Sequence, residues 1–201
     1  MENASNRASQ GLAVLLFSTV VTQIIYLALS NAGAEINRMV IWSAEALAFL
    51  GITIVALSQI VHHARLSLGW AAVASGGLLN AIQVGIGLAM FGPLEEAGEA
   101  IAPVFKAVLA GAFFLYFAGK FLFGLAAMII AADFLRGAGA VKVIGALTAI
   151  AGLAAMVLNL GGMAMGMALV FPAGASGTLA TLLLGVGIAM LARQQSRPHR
   201  P

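Results

Sequence analysis

Cysteine is absent from the 201-residue chain, which excludes disulfides, thiolate metal sites and thiol nucleophiles. Charge is nearly absent too. Ten Lys+Arg and seven Asp+Glu make up 8% of the residues, against roughly 25% in an ordinary soluble domain. That shortage rules out a soluble enzyme and a disordered chain. The net charge of +3 is too small for a basic binding face, so no nucleic-acid partner is expected. Recognisable catalytic patterns are missing as well. The chain has no His-Glu-x-x-His helix, Gly-x-Ser-x-Gly elbow or phosphate-binding glycine loop, and no catalytic residue is assigned.

What fills the chain instead is apolar: 62% of its residues, with a mean hydropathy of +1.04. Such a sequence is solvated by lipid. About 20 apolar residues cross a hydrocarbon core roughly 30 Å thick, and six stretches meet that need: residues 11–30, 39–61, 70–91, 106–132, 141–171 and 176–191. The fifth is overlong, about 46 Å as a straight helix. It must tilt, project from the bilayer or break, the Gly161–Gly162 pair being the expected breaking point. The expected fold is an all-α integral membrane protein, a six-transmembrane-helix bundle in a single domain.

Positive charge orients it. Arg7, Arg65, Arg136, Lys142, Arg193, Arg197 and Arg200 fall on one side of a six-span chain. Arg38 and Lys106 fall on the other, with Glu35, Glu95, Glu96 and Glu99. Both termini are therefore expected in the cytoplasm. The richness in Ala and Gly suits a bacterial inner membrane. Ala32, Gly33 and Ala34 before Glu35 resemble a signal-cleavage site. The preceding apolar stretch is long for a signal, its leader is weakly charged, and Thr19, Thr22, Gln23 and Tyr26 suit a retained helix. Retention is the expectation.

Two internal echoes compete. Residues 79–93 align without gaps on residues 158–172, setting Asn80 over Asn159 and Pro93 over Pro172. Extended backwards with one loop shift, the alignment sets Glu45 over Lys120, as two duplicated hairpins would. Residues 85–91 instead resemble 185–191, which would suit an inverted three-plus-three repeat.

Intramembrane polarity carries the functional reading, because a charge at that depth needs a partner, water or a role. Glu45 and Lys120 are the two such charges. Tyr116 lies one turn from Lys120 on the same face, and Phe113, Phe114, Phe117, Phe121 and Phe123 offer further aromatic faces for an ammonium. Gly76, Asn80, Gln83 and Gly87 make a small-and-polar stripe on the third span; Gly152, Asn159, Gly162 and Gly166 make one on the fifth. Met163 and Met167 share a face without cysteine or facing histidine, so no metal is assigned. His62 and His63, at a span end beside Arg65, read as solvated headgroup-level residues. Glu95, Glu96 and Glu99 read as a solvated connection.

These residues point to a small transporter or channel for a small solute or ion, without a cofactor. Glu45 responds to a proton or cation, Lys120 is its partner or an anion-binding charge, and Asn80, Gln83 and Asn159 orient the solute beside Tyr116. The competing class is a non-catalytic structural or assembly subunit of a membrane complex. In it the pair only fixes packing, and the Gly/Ala faces meet a second copy or a membrane partner.

Overall fold

The computed structural model describes residues 2–34 and 37–195. Glu35, Arg197 and Arg200, used in the charge count, lie outside the described residues. The described residues are almost entirely helical and include no strand. Its α-helices are α1 (Glu2–Asn31), α2 (Arg38–Ile60), α3 (Ser67–Ile86), the short α4 (Gly92–Glu96), α5 (Ala102–Phe134), α6 (Gly139–Met165) and α7 (Val170–Gln195). Five helical stretches are long and apolar enough to cross a membrane: Ser5–Asn31, Arg38–Ile60, Ala64–Glu96, Glu99–Phe134 and Gly139–Gln194.

The last stretch, 56 residues long, contains the overlong fifth span and the sixth. It breaks at Gly166 and not at Gly161–Gly162, which stay inside α6. Gly166 has φ 66°, a left-handed conformation open to glycine without a Cβ penalty. A 3-10 turn, Gly166–Leu169, follows, and α7 then packs back along α6. Residues 172–175, expected as a connection, lie inside α7. Pro172 is tolerated there because it falls in the first turn, where a missing N–H breaks no helical bond.

Helices α1, α2, α3, α5 and α7 touch in succession and close a ring, with α6 packed outside it on α5 and α7. Two glycine pairs set the closest approaches. A Cβ on Gly124 would come 2.8 Å from the Gly152 carbonyl oxygen, joining α5 to α6, and one on Gly76 would come 3.0 Å from that of Gly119, joining α3 to α5. Of the expected stripes, Gly76, Gly87, Gly152 and Gly162 are engaged within the chain, whereas a Cβ on Gly166 would meet nothing within 4 Å. Leu12, Leu16, Phe49, Ile52, Phe123, Leu184 and Ile188 fill the ring and are buried. The outside is as apolar as the inside: Leu47 is 71% exposed, Ile150 67% and Ile54 66%. Such a surface is compatible with a multi-pass membrane protein.

The hairpin echo has structural counterparts. Asn80 donates to the Gly76 carbonyl at 2.8 Å, and Asn159 donates to that of Ala155 at 2.8 Å. The aligned Gly87 and Gly166 each open an irregular turn, a π-helical one (Gly87–Phe91) and the 3-10 one, and each turn leads into a helix with proline in its first turn. The competing echo has none: residues 185–191 run through regular α7, whereas 85–91 include the π turn.

Ion pairs mark the bundle's two ends. Arg65, after α2, meets Asp133 of α5 at 2.9 Å, and Arg136 meets the same carboxylate at 3.3 Å. Arg38, at the start of α2, meets Glu95 of α4 at 3.4 Å.

Candidate functional site

Glu45 and Lys120 face the ring interior, 8% and 0% exposed. They do not bond to each other. Glu45 accepts a hydrogen bond from the Thr22 hydroxyl of α1 at 2.8 Å. Lys120 donates to Gln23 Oε1, also on α1, at 3.0 Å, and Thr178 of α7 donates to the same oxygen at 2.8 Å. Four helices thus meet at one level. An ammonium only donates, so its bond fixes Gln23 with the carbonyl oxygen toward α5 and α7. The two charges still act on each other through space.

The lysine is held along its whole length. Its Nζ lies 5.6 Å from the Tyr116 ring centroid and 5.9 Å from that of Phe123, within reach of cation–π attraction. Its aliphatic stem lies on Gly177, where a Cβ would come 2.9 Å from the lysine Cβ and Cγ. The i−4 spacing of Tyr116 makes these aromatic faces legible in the sequence. Gly177 and Thr178 are not legible there. Nothing in their local sequence marks them, because only the docking of α7 on α5 makes them neighbours of Lys120. Gln23 and Thr22 were visible as part of a polar series on α1, and their spacing gave no sign of which charge each serves.

The other expected residues spread out. Tyr116 joins the cluster through its ring, over which the Lys120 ammonium lies. Asn80 is fully buried on α3 and packs against Gly119, next in the chain to Lys120. Its Oδ1 has no hydrogen-bond partner among the described residues. Gln83 is half-buried, with no side-chain hydrogen bond among the described residues. Asn159 lies outside the ring and donates to the Ala173 carbonyl of α7 at 3.1 Å, stitching α6 to α7.

Aromatic layers bound the cluster. Toward the Arg38 end, Tyr26, Trp42, Phe91 and Phe105 form a chain with centroid separations of 6.2, 5.9 and 5.6 Å. Gly87, at the π turn, leaves room for the Trp42 ring, which a Cβ there would meet at 3.0 Å. Toward the other end, Phe49 and Phe123 stack at 6.4 Å beside Leu16 and Ile52.

The chain matches no protein-family model, no curated protein and no solved structure.

Proposed function

We propose that the protein is a small multi-pass membrane transporter or channel whose ion or solute site is the Glu45–Lys120 cluster. One observation carries this reading: two opposite charges are buried together and held apart by neutral side chains of α1. A purely structural pair recovers its desolvation cost best by direct contact. Here Gln23 and Thr22 take that place, leaving each charge with hydrogen-bonding capacity for a third party. Glu45 is the proton- or cation-responsive group, and Lys120 is the anion-attracting charge.

The proposed topology is six crossings with both termini in the cytoplasm of a bacterial inner membrane. α6 and α7 have 27 and 26 residues, each enough to cross a roughly 30 Å core. The Arg65–Asp133–Arg136 group gathers the α2–α3 and α5–α6 connections at one end, as the bias of basic residues toward the cytoplasm requires.

The test is proton flux into liposomes holding the purified protein and a trapped pH dye, driven by a potassium–valinomycin potential. Glu45→Gln and Lys120→Met are each expected to cut flux about tenfold or more, with cooperative unfolding retained. Full flux in both folded variants would remove these residues from the site. Wild-type flux no higher than that of empty liposomes, with the singles destabilised and the double variant partly restored, would make the pair structural and the protein a subunit of a membrane complex.

A further inference from the structure

The helices that build the Glu45–Lys120 cluster carry a second polar group at their other end. On α1 the ring-facing stripe reads Ser5, Ser9, Leu12, Leu16, Thr19, Gln23; on α2 it reads Glu45, Phe49, Ile52, Ala56, Gln59 and continues to His63, three residues past the helix end. Both have heptad-like spacing and both run from polar through apolar to polar. Since α1 and α2 pack together, polar meets polar at each end. Ser5 and Gln23 lie about 27 Å apart along α1, close to the thickness of a hydrocarbon core.

At this second end, Gln59 is 1% exposed. Its Oε1 accepts from Ser5 at 2.8 Å and from Ser9 at 3.3 Å. Ser5 Oγ also lies 3.3 Å from His63 Nε2. The serine has one proton and gives it to Gln59, so the histidine nitrogen donates to the serine. That fixes neutral His63 as the Nε2–H tautomer and leaves Nδ1 as its proton acceptor. Its ring stacks on Trp70 at 5.7 Å, and an imidazolium gains from an indole face. Trp70 is buried, and its Nε1–H has no acceptor among the described residues. The His63 ring is half-buried, so solvent reaches it. The expectation of a solvated histidine pair thus holds for the exposed His62, whereas His63 is half-buried.

We propose that Ser5, Ser9, Gln59, His63 and Trp70 form a second site, a proton-binding site serving the Glu45–Lys120 cluster from the opposite end of the α1–α2 interface. His63 Nδ1 takes the proton from water while Nε2–H stays on Ser5, giving an imidazolium over Trp70. The buried layer of Leu12, Leu16, Phe49 and Ile52 separates the two sites. The charged and titratable groups around His63 are few. His62 and Arg65 lie on its own connection, with Arg65 turned to Asp133 of α5, which also holds Arg136. Arg7 on α1 is exposed, and the described part of α3 presents none. Burial, then the charge of His62, lowers the proton affinity of His63, so the proton bound there is readily released.

The inference rests on the transport reading, and two measurements separate their failures. The first follows Trp70 fluorescence against pH in Trp42→Phe protein, which leaves Trp70 the sole tryptophan. Emission is expected to fall about twofold on acidification, with a midpoint below the ordinary histidine value of 6.5, and not to change when His63→Gln is added. Histidine-labelled NMR, assigned with His63→Gln, gives the same answer should the Trp42 variant fail to fold. The second is liposome proton flux. His63→Ala is expected to lower it about tenfold and added imidazole to restore it, a rescue that a packing role does not give. No titration overturns the proton site. Titration with unchanged His63→Ala flux shows that the histidine does not serve the path, while transport stands. A wild type without flux overturns the transport reading and the linkage with it.

Discussion

The two polar clusters use one device to different ends. Each centres on a glutamine whose Oε1 accepts two hydrogen bonds: Gln23 from Lys120 and Thr178, Gln59 from Ser5 and Ser9. Around Gln59 both donors are hydroxyls of α1, and α3 joins only through the Trp70 ring. Around Gln23 one donor is a full charge, and α1, α2, α5 and α7 all contribute. A buried charge needs several partners converging from different directions, and a ring of helices supplies them only where it is closed on all sides. The bundle places its costly groups where four helices converge and its neutral ones where fewer meet.

The sharpest way to break that contrast is to remove each glutamine. Gln23→Leu strips a buried ammonium of its acceptor and should cost about 3 kcal/mol, since a bond to a charged group is worth about 1.5–3 kcal/mol and Thr178 is orphaned as well. Gln59→Leu leaves two hydroxyls unpaired and should cost about 1–2 kcal/mol. Reversible unfolding in detergent micelles measures both. Equal losses would mean that the Lys120 ammonium finds another acceptor, and the clusters would then differ only in composition.

A smaller effect tests how tightly the lysine is gripped. Gly177→Ala sets a methyl 2.9–3.0 Å from three carbons of the fully buried Lys120 stem. Overpacking of that kind costs about 1–3 kcal/mol. Gly85→Ala, on α3 with nothing within 4 Å, is the control and should stabilise by about 0.5–1 kcal/mol through helix propensity. A Gly177→Ala protein as stable as the control would show that the stem can move aside, and that the grip on the ammonium comes from Gln23 and the rings alone.

Much of this was legible in the chain because membrane helices announce themselves by length and hydropathy. Glu45, Lys120 and Tyr116 were found since charge inside an apolar run is conspicuous and i−4 spacing is local. What escaped is contact between helices distant in sequence. Thr178 and Gly177 gain meaning only from α7 lying on α5, and no periodicity within α7 encodes that. Asn159 looked like Asn80 in sequence, and their back-bonds to the preceding turn are alike. One lies on a ring helix and the other on α6 outside it, a difference set by tertiary order. The break at Gly166 in place of Gly161–Gly162 turns on a single left-handed φ, which a run of small residues does not pinpoint. Ser5, Ser9, Gln59 and His63 were hidden because each is an ordinary residue at a span end until two heptad stripes are laid side by side.

The smallest expected effect separates the ends by their response to acid. Folding lowers the proton affinity of His63, through burial first and His62 second. Below its ordinary value of 6.5 the unfolded chain therefore takes up a proton before the folded one does, and stability falls with pH until the folded protein is protonated too. Above 6.5 the contribution is fully present. The ring is partly open to solvent, so the loss is modest. Ordinary carboxylates titrate near 4, below this window, and the His63→Gln variant separates His63 from every other group that titrates within it. Denaturant midpoints compared at about pH 7.5 and about pH 5.5 should show a drop in the wild type that shrinks in His63→Gln. Gln59→Leu should keep the drop, because the burial of the ring against Trp70 remains. An equal drop in wild type and His63→Gln would take the acid response away from His63, and with it this difference between the two ends.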